Sequence, residues 1–356
     1  AGAAIVKMSA DFESGMSKVQ AISGASGKDL ESLRDKAKEL GATTAFSASE
    51  VAEGMSEMAK AGWDSQQIIA GMEGVLNAAS ASGENLATVS TIVADAITGF
   101  GMEAKDATKI ADLLTQAANS GTIDINDLGE SFKYIAPIAG AMGLSVEDVT
   151  TALSAMSMAG IKGSQAGTAL RTMLTRMVKP TDDVAETMDK LGISVTNQDG
   201  SMKSLDEIVS NLRKSFDGLT DSEKAKYAAT LAGQEGMSGM LSLLNLTKEE
   251  YDAIADSMEN ANGVAKETAD IMLNNLSGQI TILKSALEGL AIQFGEILLP
   301  YIKRFVAWIQ NLTQKLQELT PEQKAQIVKW AAIAAAIGPV IAILGKVISI
   351  SGSVFT

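Results

Sequence analysis

No cysteine and no histidine occurs anywhere in the 356 residues. Without thiols the chain has no disulfide and no thiolate chemistry. Without imidazole it lacks the Ser–His and Cys–His nucleophile pairs, His-ligated zinc and the usual general base near neutral pH. Aromatic residues make up only 4% and proline occurs five times. Positive charge is scarce too. A net charge of −14 argues against wrapping nucleic-acid phosphates, and no sequence-specific nucleic-acid contact is expected.

Small and flexible side chains fill the gap. Hydrophobic residues reach 46%, with 32 Gly and 17 Met. That composition suits a large core of closely approaching elements, with Met filling irregular spaces. The acidity is uneven: from residue 280 onward seven Lys/Arg stand against four Glu, or +3, which leaves −17 on the first 279 residues. The opening AGAAIVKMSADFE has neither an initiating Met nor a signal-peptide layout, and SGSVFT closes a hydrophobic run. The sequence therefore reads as a piece of something longer.

Helix signals recur along the chain and predict an all-α fold. Capping boxes, in which a Ser/Thr side chain and an acidic or amide residue three positions later satisfy each other's backbone donors, are expected at Ser47/Glu50, Thr220/Glu223 and Thr247/Glu250. Ser145/Asp148 is a looser version, and Thr320-Pro321-Glu322-Gln323 places Pro at the first helical position. Gly24, Gly41, Gly62, Gly83, Gly121, Gly143 and Gly160 mark expected helix ends. Ile193 to Leu205, ISVTNQDGSMKSL, alternates like two strands around a turn and predicts one short β-hairpin near 193–203. A weak repeat relates Phe46-Ser47…Gly62-Trp63 to Leu144-Ser145…Gly160-Ile161 at an offset of 98, as a reused helical hairpin would.

After Gly263 the texture changes. Leu276, Ile280, Leu283, Leu287, Leu290, Phe294, Ile297 and Tyr301 are spaced alternately four and three, the heptad seam of a coiled coil. Two readings fit: a long helix packed on its own chain, or an oligomer seam between chains. The uncharged run Trp330 to Gly345 would span about 24 Å as a helix, short of the roughly 30 Å hydrocarbon core. Within it Trp330, Ile333, Ile337, Pro339, Ile341 and Leu344 form a membrane candidate whose other reading is a buried hairpin around Gly338-Pro339. The expected organisation is a helical core over 1–180, a helical region with the small β-hairpin over 181–262, a long helix over 263–319 and a hydrophobic helical end over 320–356.

The search for chemistry finds lookalikes. Asn197, Asp199, Gly200 and Asp206 stand at calcium-loop spacing, but the first ligand position is Val195, which offers no oxygen. Gly129-Glu130-Ser131 resembles the Glu-Ser pair of lytic transglycosylases without the segment that should follow, AMGLSVED standing in its place. GASGKD, Gly24 to Asp29, lacks phosphate-loop spacing. No catalytic residue, metal site or cofactor is expected. GIKGSQAGTALRTML, Gly160 to Leu174, is read as a packing motif: Gly160, Gly163, Gly167 and Ala169 make a small-residue surface that lets another helix approach closely, with Arg171 facing away.

ELGATTAFSASEVAEGM, MAKAGW, GFGMEAKDATKIADLLTQAANSGTIDINDL and, above all, GIKGSQAGTALRTMLTRM resemble the core of phage tail tape measure proteins, or minor tail proteins; LGISVTNQDGSMKSLDEIVSNLR and SGQITILKSALEGLAIQFGEILLPYI look like its continuation. The resemblance spans nearly the whole chain and keeps motif order. It implies a non-enzymatic structural protein of a long-tailed phage or prophage-like particle, a scaffold and ruler in the tail-tube lumen that sets tail length and leaves ahead of DNA. The implied partners are further copies of itself (a trimer, or a hexamer), tail-tube and tail-tip proteins, tail assembly chaperones in the host cytoplasm, and the host membrane on ejection. The rival readings are a membrane-active helical pore or toxin and, third, a muralytic enzyme.

Overall fold

A computed structural model describes residues 2–329. In chain order the helices are α1 (Gly2–Ser23), α2 (Lys28–Thr43), α3 (Ala48–Lys60), α4 (Ser65–Ser82), α5 (Leu86–Phe100), α6 (Ala107–Ser120), α7 (Ile125–Met142), α8 (Val146–Ser157), α9 (Gly163–Val178), α10 (Asp182–Leu191), α11 (Leu205–Phe216), α12 (Asp221–Asn245), α13 (Lys248–Glu259), α14 (Val264–Leu273) and α15 (Leu276–Glu318). The described residues up to 295 form one compact unit, and those from 296 to 329 belong to a second.

Local chemistry starts these helices where the sequence predicts. Ser47, Thr220 and Thr247 close full capping boxes, and Ser145 accepts from the Asp148 N–H. Gly83 and Gly143 end α4 and α7 in the left-handed region, which an L-residue would enter only with strain. Gly41 departs from expectation. It lies inside α2, where a Cβ would collide with the backbone of Ala48 at the start of α3. Its role is close approach, and Thr44 ends the helix.

Alternate helices pack side by side. α1 lies against α3, α3 against α5, α5 against α7, α7 against α9 and α9 against α12; in a second row α2 meets α4, α4 meets α6, α6 meets α8 and α8 meets α13. The core fills the space between the rows. There α8 buries every residue from Val149 to Ser157, and Phe100 of α5 meets Phe132 of α7 edge-on at 5.4 Å. The 98-residue repeat falls on α3–α4 and α8–α9, each with a Ser cap and with Gly62 or Gly160 at positive φ. Each copy has one helix in each row but in opposite order, α3 in the first row and α8 in the second, so they share a helix–glycine turn–helix unit and not the period of the stack.

The predicted β-hairpin near 193–203 is not present. Among the described residues there is no strand, only one isolated antiparallel bridge between Thr196 and Met202. The turn itself forms, with the Asn197 N–H donating to the Ser201 carbonyl at 2.8 Å. Two constraints stop a ladder. Ile193 and Val195 tuck into the helical core, and Ser204 already caps α11 by accepting from the Glu207 N–H.

Candidate functional site

α9 meets two helices at close range, and its small residues serve both crossings. At Gly167 a Cβ would overlap the Ser131 carbonyl oxygen on α7. Ser131 is fully buried and its hydroxyl donates to the Gly163 carbonyl at 2.7 Å, tying α7 to the first turn of α9. A Cβ at Gly239 of α12 would stand 2.8 Å from the Ala169 Cβ, so Ala169 lies at the second crossing. Gly160, in the turn before α9, and Gly163, its first residue, both hold positive φ, and Lys162 between them pairs with Asp127 at 3.0 Å. Arg171, expected to face away, is one turn beyond Gly167 and lies over the Tyr134 ring of α7 at 5.6 Å. Residues four apart share a helix face, so it closes the rim of the same crossing.

The partner helix α12 is broken. Gly233 has φ 72° and ψ 174°, a conformation essentially restricted to glycine. Arg176, from the last turn of α9, donates through Nη2 to the Thr230 carbonyl at 3.0 Å beside the break. Only a glycine within a helical pattern marks this break in the sequence.

α15 sorts its side chains by size. Its buried positions are Gly278, Ser285, Gly289, Ile292 and Gly295, all within the first compact unit. The predicted seam is on the other side: Leu276, Ile280, Leu283, Leu287, Leu290, Phe294, Ile297 and Tyr301 are all exposed, by 42% at Ile280 and 78% at Leu276. Further along the same helix Phe305 and Trp308 stack at 5.8 Å, both exposed. The small face is legible in the sequence as Gly278, Ser285, Gly289 and Gly295 recurring among the large seam residues.

A polar cluster joins α11 to α13. The buried Tyr251 hydroxyl donates to Asp206 Oδ1 at 2.8 Å, and the Arg213 guanidinium lies 4.5 Å from the Tyr251 ring centre. Burial lifts the Asp206 carboxyl to about 6; the Tyr251 hydrogen bond pulls it back, while Asp148, Glu259 and Asp252 push it further up. Asp206 is thus engaged with Tyr251, away from the turn oxygens of its supposed calcium loop. Asp199 accepts from the Ser201 N–H and hydroxyl at 2.9 and 2.7 Å. Glu130 is exposed on α7 and pairs with Lys133 at 2.6 Å. Among the described residues no group of three or more acidic side chains is placed to hold a metal, and no helix is long and apolar enough to cross a membrane. The membrane candidate, Trp330, Ile333, Ile337, Pro339, Ile341 and Leu344, lies outside the described residues.

Residues 34–233 match the family model described as phage-related minor tail protein. A tape measure protein of Pneumococcus phage Dp-1 is 38% identical over 339 residues, 95% of this chain and 30% of that protein. A probable tape measure protein of Escherichia phage P2 is 27% identical over 293 residues, covering 81% of this chain and 36% of its own length. One from Clostridium phage phiCD119 is 25% identical over 297 residues, covering 81% and 31%. The chain thus spans about a third of the length of these curated relatives. No solved structure matches it significantly.

Proposed function

The chain belongs to the phage-related minor tail protein family, and from that membership we propose that it is a structural segment of a tape measure protein in the tail of a long-tailed phage or prophage-like particle. The observation that carries this reading is the alignment of 95% of the chain with the Dp-1 tape measure protein. The role is non-enzymatic: scaffold and ruler in the tube lumen, setting tail length during assembly in the host cytoplasm and leaving ahead of DNA. None of the relatives above is described as a toxin or pore.

The segments divide this role. Residues 1–180 and 181–262 supply a folded helical body that presents surfaces to tube proteins, tail-tip proteins and assembly chaperones. Residues 263–319 carry the exposed ridge that meets other copies. A second copy of the chain suits the exposed α15 ridge because its four-three spacing is self-complementary in a coiled coil. The Ile/Leu/Phe mixture and the width of the face favour three strands or more. The acidity of the first 279 residues suits a lumen through which DNA must pass without sticking. Residues 320–356 are assigned to the host membrane on release. Flotation with liposomes tests this last assignment: a carrier fused to 320–356 should float, and its Ile337→Asp/Ile341→Asp form should not.

Deleting the codons for 34–295 in frame, in the phage that carries the gene, tests the main reading. Electron microscopy should then show tailless heads or tails of altered length. Tails of normal length and number would overturn it.

A further inference from the structure

Residues 260–295 return across the stack and are held there by small side chains and a few hydrogen bonds. The buried residues of α14 are Ala265 and Ala269, and those of the following α15 segment are Gly278, Ser285, Gly289, Ile292 and Gly295. Apart from the fully buried Ile292, most large apolar side chains of the same stretch lie outward, Ile271 being 69% exposed. A groove of about 910 Å³ opens between α14 and the helices α2 and α4, lined among others by Lys36, Leu40, Asn77, Lys266 and Asp270.

The polar links are specific. Asp112, buried on α6, accepts the Gly263 N–H at 2.8 Å through Oδ2 and the Ala265 N–H at 2.9 Å through Oδ1. These are donors that the first turn of α14 cannot pair within itself, so a carboxylate from another helix caps it. Asn119 Nδ2 donates to Thr268 Oγ1 at 2.9 Å, Ser49 Oγ to Glu288 Oε1 at 2.9 Å, and Ser285 Oγ to the Ala45 carbonyl at 3.0 Å.

We propose that residues 260–295 form a releasable strap, latched by Asp112, which detaches from α1, α2, α3, α4 and α6 while the two rows of helices stay folded. Stabilisation by burial scales with the apolar area removed from water, and alanine and glycine faces remove little. Segments with few buried apolar contacts open first. The rows, by contrast, interlock through residues such as Met55, Ile68, Met72 and Ile110, all fully buried. The latch is two-state, because a buried carboxylate that loses both amide donors must regain water. Release uncovers the glycine-rich face of α15, where another helix can approach closely.

Amide hydrogen exchange on the full chain tests it, with two variants. Asp112→Asn removes the charge from the latch. Ala42→Cys/Gly289→Cys adds a reversible lock: a Cβ at Gly289 would stand 3.8 Å from the Ala42 Cβ, within disulfide range, and no other cysteine competes. Asp112→Asn should accelerate exchange over 264–295 about tenfold or more, with α5, α7 and α9 unchanged. The oxidised lock should slow 278–295 by a similar factor, reversed by reductant. Unchanged exchange over 264–295 in Asp112→Asn, or equal acceleration of the rows, would overturn the proposal. Should that variant not fold, the lock decides: no difference between its oxidised and reduced forms overturns it.

Discussion

Gly167 has no room for even one carbon beyond its backbone, because Ser131 of α7 fills the place of a Cβ. Gly167→Leu should therefore cost about 1–3 kcal/mol or more by overpacking, whereas Glu130→Gln on the exposed side of α7 should change stability by less than about 0.5 kcal/mol. Thermal melts of the two variants check both. Asp206 gives a pH-dependent prediction. Its folded pKa of about 6 lies above the ordinary carboxylate value, so the folded state binds the extra proton and stability falls as pH rises from about 4 to 6. Asp206→Asn keeps an acceptor for Tyr251 and removes the charge. Discounted for solvent screening it should gain on the order of 1 kcal/mol at pH 7, seen as a melting temperature higher by about 2 °C, and no gain at pH 4. At this scale the sequence showed that α9 needed small residues. It did not show which helices they face, because neither Ser131 nor Ala169 announces its partner.

Helix starts were the most legible elements, since a capping box is a local device satisfied within four residues. The hairpin near 193–203 failed for the complementary reason. Alternation was present, but a strand pair needs a length of free backbone, and here the core claims Ile193 and Val195 while Ser204 begins a helix. The break in α12 had only Gly233 to mark it, and the Arg176 hydrogen bond to the Thr230 carbonyl beside it comes from another helix. Gly233→Ala should force either a straight α12 or a strained one, at a cost of about 1–3 kcal/mol, measurable as a lower melting midpoint in denaturant. The α15 seam was legible as a period, and its exposure leaves the copy-to-copy reading open to test. Sedimentation of the full chain should show an oligomer, and Leu283→Glu/Leu290→Glu should shift it toward monomer; a monomeric unmodified chain would contradict that reading.

For the molecule as a whole, composition announced the class: few aromatics and many glycines and alanines lead to rows of closely spaced helices. The arrangement of those rows was not legible, because stacking order depends on contacts between helices one removed in sequence, such as α5 with α7. Size also bears on the role. As one uninterrupted helix the chain would reach about 530 Å, yet the described residues 2–295 lie within one folded unit. On the reading proposed above, the 356 residues are one part of a longer ruler, and most of the measuring length belongs to the remainder of a full-length protein. Cryo-electron microscopy of intact tails, with this segment located by a tag inserted in the turn at Asp199, tests that account most directly. Density for several copies of a helical body inside the tail tube is the predicted result. A tag found on the outside of the tail, or on the head, would contradict it.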